Sequence, residues 1–142
     1  MKKQIIISII SIIFLSLFAC SKPEPNLELF NPEAFAYDIG DSWEVNATVN
    51  AKGFLQKEVE DIFRMKLSYS VDLVTPESDS LNSIFNDVIE EVNDEEIVDI
   101  ALEAQIEIDS TFSEGIYVLL FNVKDEFSNQ TKSIKVNFNL MK

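Results

Sequence analysis

Five segments of the chain carry apolar residues at every second position, in most of them with polar residues between, and this periodicity limits the possible fold more than any other feature. Successive side chains of a β-strand point to opposite faces of its sheet, so such segments predict strands with one buried face. Strands of this kind are typical of antiparallel sheets that pack face to face, and they predict an all-β chain. Their apolar residues are Trp43, Val45, Ala47, Val49 and Ala51; Met65, Leu67, Tyr69, Val71 and Leu73; Ile100, Leu102, Ala104, Ile106 and Ile108; Tyr117, Leu119, Phe121 and Val123; and Ile134, Val136, Phe138 and Leu140.

Residues 80–92 allow two interpretations. Apolar residues recur there at helical spacing from Leu81 to Val92, and Ser80 is a suitable N-cap. A two-sheet fold, however, needs a strand between the segments that end at Leu73 and begin at Ile100. Two short extended pieces around residues 84–85 and 88–89 would meet that need. We prefer the strand and keep the helix as the alternative.

The C-terminal third carries a characteristic order of strand ends and turns. Gly115-Ile116-Tyr117 opens a strand that ends in Val123-Lys124-Asp125, and a turn and a final strand follow. This order resembles the last three strands of bacterial immunoglobulin-like modules, in which G-x-Y opens a strand that ends in V-x-D. The resemblance implies an immunoglobulin-like antiparallel β-sandwich of about six to seven strands over residues 41–142. It also implies that Tyr117 is the tyrosine corner, with a buried ring and a hydroxyl that bonds nearby backbone.

A short apolar leader precedes the predicted domain. Lys2 and Lys3 are followed by an apolar run over residues 5–18, shorter than the ~20 residues that span a bilayer, which predicts a signal peptide. The run ends in Leu17-Phe18-Ala19-Cys20, which resembles the bacterial lipobox. The resemblance implies cleavage before Cys20 and acylation of this cysteine, with diacylglycerol and chains such as palmitate. The predicted organisation is a signal peptide over 1–19, a lipidated cysteine and tether over 20–40, and the sandwich over 41–142.

The composition of the predicted mature chain argues against several functions. It holds all 25 acidic residues and nine of the 11 basic ones, so its formal charge is −16. Such a chain repels phosphate backbones, which argues against nucleic-acid binding. The sequence has no histidine and no cysteine besides Cys20, so the usual general base, thiol nucleophile and thiolate metal site are missing once Cys20 is acylated. We therefore expect a chain that is not an enzyme and needs no cofactor.

Two kinds of ligand site are candidates on the domain. Asp94, Glu95, Glu96 and Asp99 form an acidic segment, and carboxylate oxygens are the ligands that Ca²⁺ prefers. Their spacing matches no EF-hand loop, so we prefer an ordinary solvated acidic surface and keep calcium binding as the alternative. Carbohydrate binding is a second possibility, for which asparagine-rich strands and Trp43 would supply amide and aromatic groups.

The strand opened by Gly115 is apolar on both faces. Ile116, Val118 and Leu120 alternate with Tyr117, Leu119 and Phe121, although one face of a sandwich strand should meet water. Either residues 26–40, which are rich in leucine and aromatic residues, fold back over Ile116, Val118 and Leu120, or these three residues dock a partner protein.

Together these observations predict a lipoprotein of the cell outer membrane. Anchored through Cys20, the domain would act as a non-catalytic binding or accessory module for another envelope protein or an extracellular ligand. Ser21 provides no aspartate retention signal after the cysteine, which favours the outer over the inner membrane. A calcium- or carbohydrate-binding module is the alternative function.

Overall fold

The computed structural model describes residues 24–141, so Cys20 and the predicted signal peptide lie outside the described residues. Residues 24–141 form strands joined by turns and short loops and contain no helix, which confirms the predicted all-β class. All strand pairs in this part of the chain are antiparallel. The strands are β1 (Glu28–Asp38), β2 (Ser42–Lys52), β3 (Lys57–Val59), β4 (Ile62–Val74), β5 (Ser80–Asn93), β6 (Asp99–Asp109), β7 (Gly115–Asp125) and β8 (Thr131–Leu140).

The strands form two packed sheets with the predicted immunoglobulin-like topology. One sheet has three strands in the order β1-β2-β6. In the five-stranded sheet, β4 pairs with β5 on one edge and with β7 on the other, β8 follows β7, and the short β3 extends the β7 side of β4. In immunoglobulin lettering, these are sheets ABE and C′CFG. Because β5 joins β4, it takes the C′ position and not the D position.

The two sheets bury the faces that the alternation predicts. Val45 and Val49 of β2 and Leu102 of β6 face Leu67 of β4 and Leu119 of β7, and all five side chains are fully buried. Full burial of one such side chain stabilises a fold by about 1.5–3 kcal/mol. The chain is therefore held together by packing between the sheets, without a disulfide.

Residues 80–92 belong to β5, so the preferred strand interpretation is confirmed and the helical alternative is wrong. β5 is a single edge strand along β4, not two separate pieces. Its register shifts opposite Val71 and Leu73, and Ser83 has a positive φ of 52°. This bulge interrupts the alternation and brings both Ile84 and Phe85 against the core, and this interruption is why the apolar spacing resembles that of a helix.

The folded domain begins earlier than residue 41, so the tether predicted over 20–40 is too long. β1 pairs with β2 from Glu28 to Asp38, and Leu27 is fully buried. The register shifts between Phe30 and Glu33, where Asn31 has a φ of 47° and Pro32 follows. Proline cannot donate a ladder hydrogen bond, so it is confined to edges and bulges. Because this bulge interrupts the alternation of apolar and polar residues, β1 is not recognisable as a strand from the sequence.

The chain enters the sandwich through a fixed contact at one end. The side-chain amide of Gln130 accepts a hydrogen bond from the Leu27 backbone N–H at 2.9 Å and donates one to the Pro25 carbonyl at 2.6 Å. Gly53, with a φ of +69°, lies so close to Asn26 that a Cβ there would collide with the Asn26 carbonyl oxygen. The segment that precedes β1 is therefore seated between the β2–β3 and β7–β8 connections.

Candidate functional site

The two ends of β7 are fixed by Tyr117 and Asp125. Tyr117 is buried, stacks on Phe138 with ring centroids 5.6 Å apart, and donates its hydroxyl proton to the Ser113 carbonyl at 2.7 Å. A hydrogen bond to backbone four residues upstream is the geometry of a tyrosine corner, as the sequence resemblance implied. Tyr117 is therefore a structural residue that orients the start of β7.

Asp125 is a fully buried carboxylate whose role the sequence did not reveal. It accepts hydrogen bonds from the Leu55 N–H at 2.8 Å, the Phe127 N–H at 2.9 Å and the Ser128 hydroxyl at 2.6 Å. These two backbone N–H groups and one hydroxyl supply the hydrogen bonds that the buried carboxyl group needs. Asp125 thus ties the β7–β8 turn to the β2–β3 connection, beside the Gln130 contact.

Ile116, Val118 and Leu120 lie on the outer face of the five-stranded sheet. Ile116 is 62% exposed, and the other two are partly exposed. Residues 26–40 do not cover them, because these residues form β1 in the other sheet. Of the two predicted arrangements, the one in which the N-terminal segment covers this face is therefore wrong. We call Ile116, Val118 and Leu120 the β7 patch.

The residues that lie beside the β7 patch on the neighbouring strands β4 and β8 are uncharged at the levels of Ile116 and Val118. Val118 lies beside Val74 of β4 and Asn137 of β8, and Ile116 lies beside Asn139. Only at the Leu120 level do charges appear, with Asp72 on one side and Lys135 on the other. The patch is thus an apolar strip with an amide border, a composition suited to contact with protein.

The same face becomes polar towards Asp125. Ser68, Ser70, Asn86, Asn122 and Lys124 line a shallow depression of about 580 Å³. Glu126 at its edge accepts hydrogen bonds from the Ser68 hydroxyl at 2.5 Å and the Lys124 ammonium at 2.9 Å, and these bonds lower the pKa of Glu126.

Asn122, which also lines this depression, is held by hydrogen bonds to neighbouring polar side chains. Asn122 donates to Asp72 at 2.9 Å and accepts from the Ser133 hydroxyl at 2.8 Å. These groups bond one another, and the depression is wide and open, so the arrangement provides no set of groups aimed at a reacting atom.

The predicted calcium ligands are not gathered into a site. Asp94, Glu95 and Glu96 are exposed in the connection between β5 and β6, and Asp99 is exposed at the start of β6. Between residues 24 and 141, no group of three or more acidic, histidine or cysteine side chains is placed to hold a metal ion. All four carboxylates are exposed to solvent, and calcium binding stays a prediction.

The aromatic residues available to a ligand differ from the one that the sequence suggested. Trp43 is only 3% exposed and belongs to the core. Phe35 and Tyr37, in contrast, are 58% and 55% exposed on the outer face of β1. They were missed because residues 20–40 were assigned to a tether, although their alternation with Ala34 and Ala36 is a strand signal.

Tyr69 is the buried ionisable group with the largest perturbation among the described residues. Its hydroxyl donates to the Glu103 carbonyl of β6 at 2.5 Å, across the side of the sandwich where β5 and β6 face each other. Burial, together with the negative charge of Asp87, raises the pKa of Tyr69 to about 12. The phenol is therefore neutral at physiological pH and links the two sheets.

No family model matches the sequence, and no curated protein matches it significantly. Among solved structures, the chain is similar to a family 123 glycoside hydrolase from Clostridium perfringens, with 11% identity and a TM-score of 0.46. The match covers 69% of this chain and 21% of the hydrolase chain. A likeness this distant assigns no activity. Within the described residues, no helix is long and apolar enough to cross a membrane.

Proposed function

We propose that this protein is a lipid-anchored, non-catalytic binding module of the bacterial cell envelope. Acylated Cys20 holds it to the outer membrane, and the β7 patch docks another envelope protein. The observation that carries the docking half is the exposure of Ile116 on a strand whose two faces are both apolar. The lipobox resemblance of residues 17–20 carries the anchoring half.

The position of the β7 patch supports the docking half. The chain enters the sandwich at Leu27, which is bonded to Gln130 just after the end of β7. Ile116 is at the opposite end of the same strand and pairs with Asn139 near the end of β8. At about 3.4 Å per residue, Ile116 lies roughly 30 Å along β7 from Asp125. A domain tethered at Leu27 therefore presents the patch away from its anchor.

The anchoring half is tested by replacing the acceptor cysteine. In cells that produce the full chain, the wild type should incorporate a fatty-acid analogue and Cys20→Ser should incorporate none, because serine has no thiol to alkylate. Lys22→Ala is the matched control and should label like the wild type. Equal labelling of the wild type and Cys20→Ser would exclude lipidation at this residue.

The docking half is tested by photo-crosslinking in intact cells. A photoreactive residue at position 116 should give a discrete adduct with an envelope protein. The same residue at position 98 should give none, because Val98 is 78% exposed but lies in the β5–β6 connection, near the Pro25 end of the domain. The same adducts from both positions, or none from position 116, would contradict the assignment of this face.

A further inference from the structure

A second surface lies on the outer face of the three-stranded sheet. Phe35 and Tyr37 are both more than half exposed there, two residues apart on the edge strand β1. Two neighbouring aromatic rings in water are a feature of binding surfaces, because each ring has a large apolar face at a small cost in side-chain entropy. Among the described strands, β1 is hydrogen-bonded to β2 along one edge, and neither ring is buried by the rest of the described chain.

The side chains beside these rings are acidic or amide-bearing. In the row of Phe35 lie Asn46 of β2 and Gln105 of β6, and in the row of Tyr37 lie Glu44 and Glu107. The carboxylates of this face are Glu28, Glu33, Glu44, Asp99, Glu103, Glu107 and Asp109, whereas the basic residue among its paired strand positions is Lys52.

The one basic residue of this face is already engaged. The Lys52 ammonium pairs with Glu28 at 3.2 Å and lies over the Phe30 ring, 5.2 Å from its centroid. The face therefore already places one cation between a carboxylate and an aromatic ring, at the end distant from Tyr37.

The outer face of the five-stranded sheet has a different charge. It carries Lys57, Arg64, Lys66, Lys124 and Lys135 among Asp72, Glu90 and Glu126, so it has no negative excess. Of the two outer sheet faces, that of the three-stranded sheet, which includes Phe35 and Tyr37, is therefore the negatively charged one. The two faces suit partners of different chemistry.

We propose that the outer face of the three-stranded sheet binds a basic protein surface, whose arginine or lysine side chains stack on Phe35 and Tyr37. Cations are attracted to the faces of aromatic rings, and the surrounding carboxylates bond guanidinium and ammonium groups and speed their approach. A neutral glycan would also stack on the rings, but the excess negative charge of this face would add nothing to its affinity. This site is independent of the proposed docking at the β7 patch, because it uses the other sheet.

The probe for this site is a synthetic decapeptide of arginine, added to the purified full chain in detergent at physiological salt. Phe35→Ser with Tyr37→Ser removes both rings and no charge, and should weaken binding by about fivefold or more. The matched control is Val88→Ser with Val92→Ser, which removes two exposed apolar side chains from edge strand β5. This control should bind like the wild type. Thermal melting of each variant checks that the fold is intact.

A second pair of variants separates the local charges from the net charge of the chain. Glu44→Gln with Glu107→Gln should weaken peptide binding several-fold more than Glu91→Gln with Glu95→Gln, although both pairs change the net charge equally. Equal losses from the two pairs, or unchanged binding by the variant without the rings, would show unspecific attraction and overturn the proposal. The proposal would also be overturned if the two rings contributed more to the binding of a neutral oligosaccharide, such as cellohexaose, than to the binding of the peptide.

Discussion

Tyr117 and Asp125 show how single polar groups organise this sandwich. Each lies at one end of β7, and each is buried with its hydrogen bonds made to backbone groups of a neighbouring turn. No buried side-chain nitrogen or oxygen in residues 24–141 lacks a hydrogen-bond partner. Because an unsatisfied buried polar atom costs about 1–3 kcal/mol, this complete pairing is a substantial part of what makes the turns well defined.

The tyrosine corner predicts separate effects for the ring and for the hydroxyl of Tyr117. Tyr117→Phe keeps the ring but loses the bond to Ser113, so the free energy of unfolding should fall by about 0.5–1.5 kcal/mol. Tyr117→Ala also removes the packing on Phe138 and should cost about 3–5 kcal/mol. Urea denaturation measures both. The control, Tyr37→Phe, alters an exposed side chain and should change stability by less than about 0.5 kcal/mol.

The raised pKa of Tyr69 predicts a loss of stability in alkali. The folded state favours the neutral phenol, so this contribution is fully present below pH 10 and is lost as the pH rises from 10 through the folded pKa of about 12. At pH 11 the wild type should have lost about 1 kcal/mol more than Tyr69→Phe, each relative to its own stability at pH 9. Denaturation at both pH values measures this difference. Tyr37→Phe should follow the wild type, and parallel curves for wild type and Tyr69→Phe would contradict the role assigned to the burial of Tyr69.

At the scale of elements, the sequence predicted strands β2, β4, β6, β7 and β8 because their alternation is uninterrupted. β1 and β5 were missed or ambiguous for one physical reason, since each is an edge strand with a bulge that breaks the period of two. An edge strand also has fewer buried positions, so its apolar residues are divided between both faces, as with Ala34 and Phe35. The pattern of such strands is visible only when their pairing partner is known.

The attachment of β1 to the rest of the sandwich depends on the side chain of Gln130, which lies in the β7–β8 connection. Gln130→Ala removes both hydrogen bonds to the Pro25–Leu27 segment and should lower the stability by about 1–2 kcal/mol. Amide hydrogen exchange should accelerate first in β1, because it is bonded to the rest of its sheet along one edge only. Gln105→Ala, which alters an exposed glutamine of β6, is the control and should leave exchange in β1 unchanged. Uniform acceleration in all strands would contradict the local role of Gln130.

For the whole molecule, the sequence could predict the sandwich and the outward position of the β7 patch, because both follow from alternation. It could not predict which surface stays uncovered, since that depends on the sheet that residues 26–40 join. Nor could it predict the excess of carboxylates around Phe35 and Tyr37, because part of it comes from β6, which is distant in the chain from β1 and β2. The two outer faces therefore became distinguishable only when the pairing of the strands was known.

The central proposal is that the β7 patch is the surface through which a lipid-anchored domain would meet a partner protein. The direct measurement is quantitative co-purification from detergent-solubilised envelopes with the wild type, Ile116→Asp and Val98→Asp, all as full chains. Both aspartates replace exposed apolar side chains and add the same charge, so both variants should melt like the wild type. Val98→Asp should retain an envelope partner that Ile116→Asp loses at least tenfold. Equal retention of every co-purifying protein by the two folded variants would contradict the account.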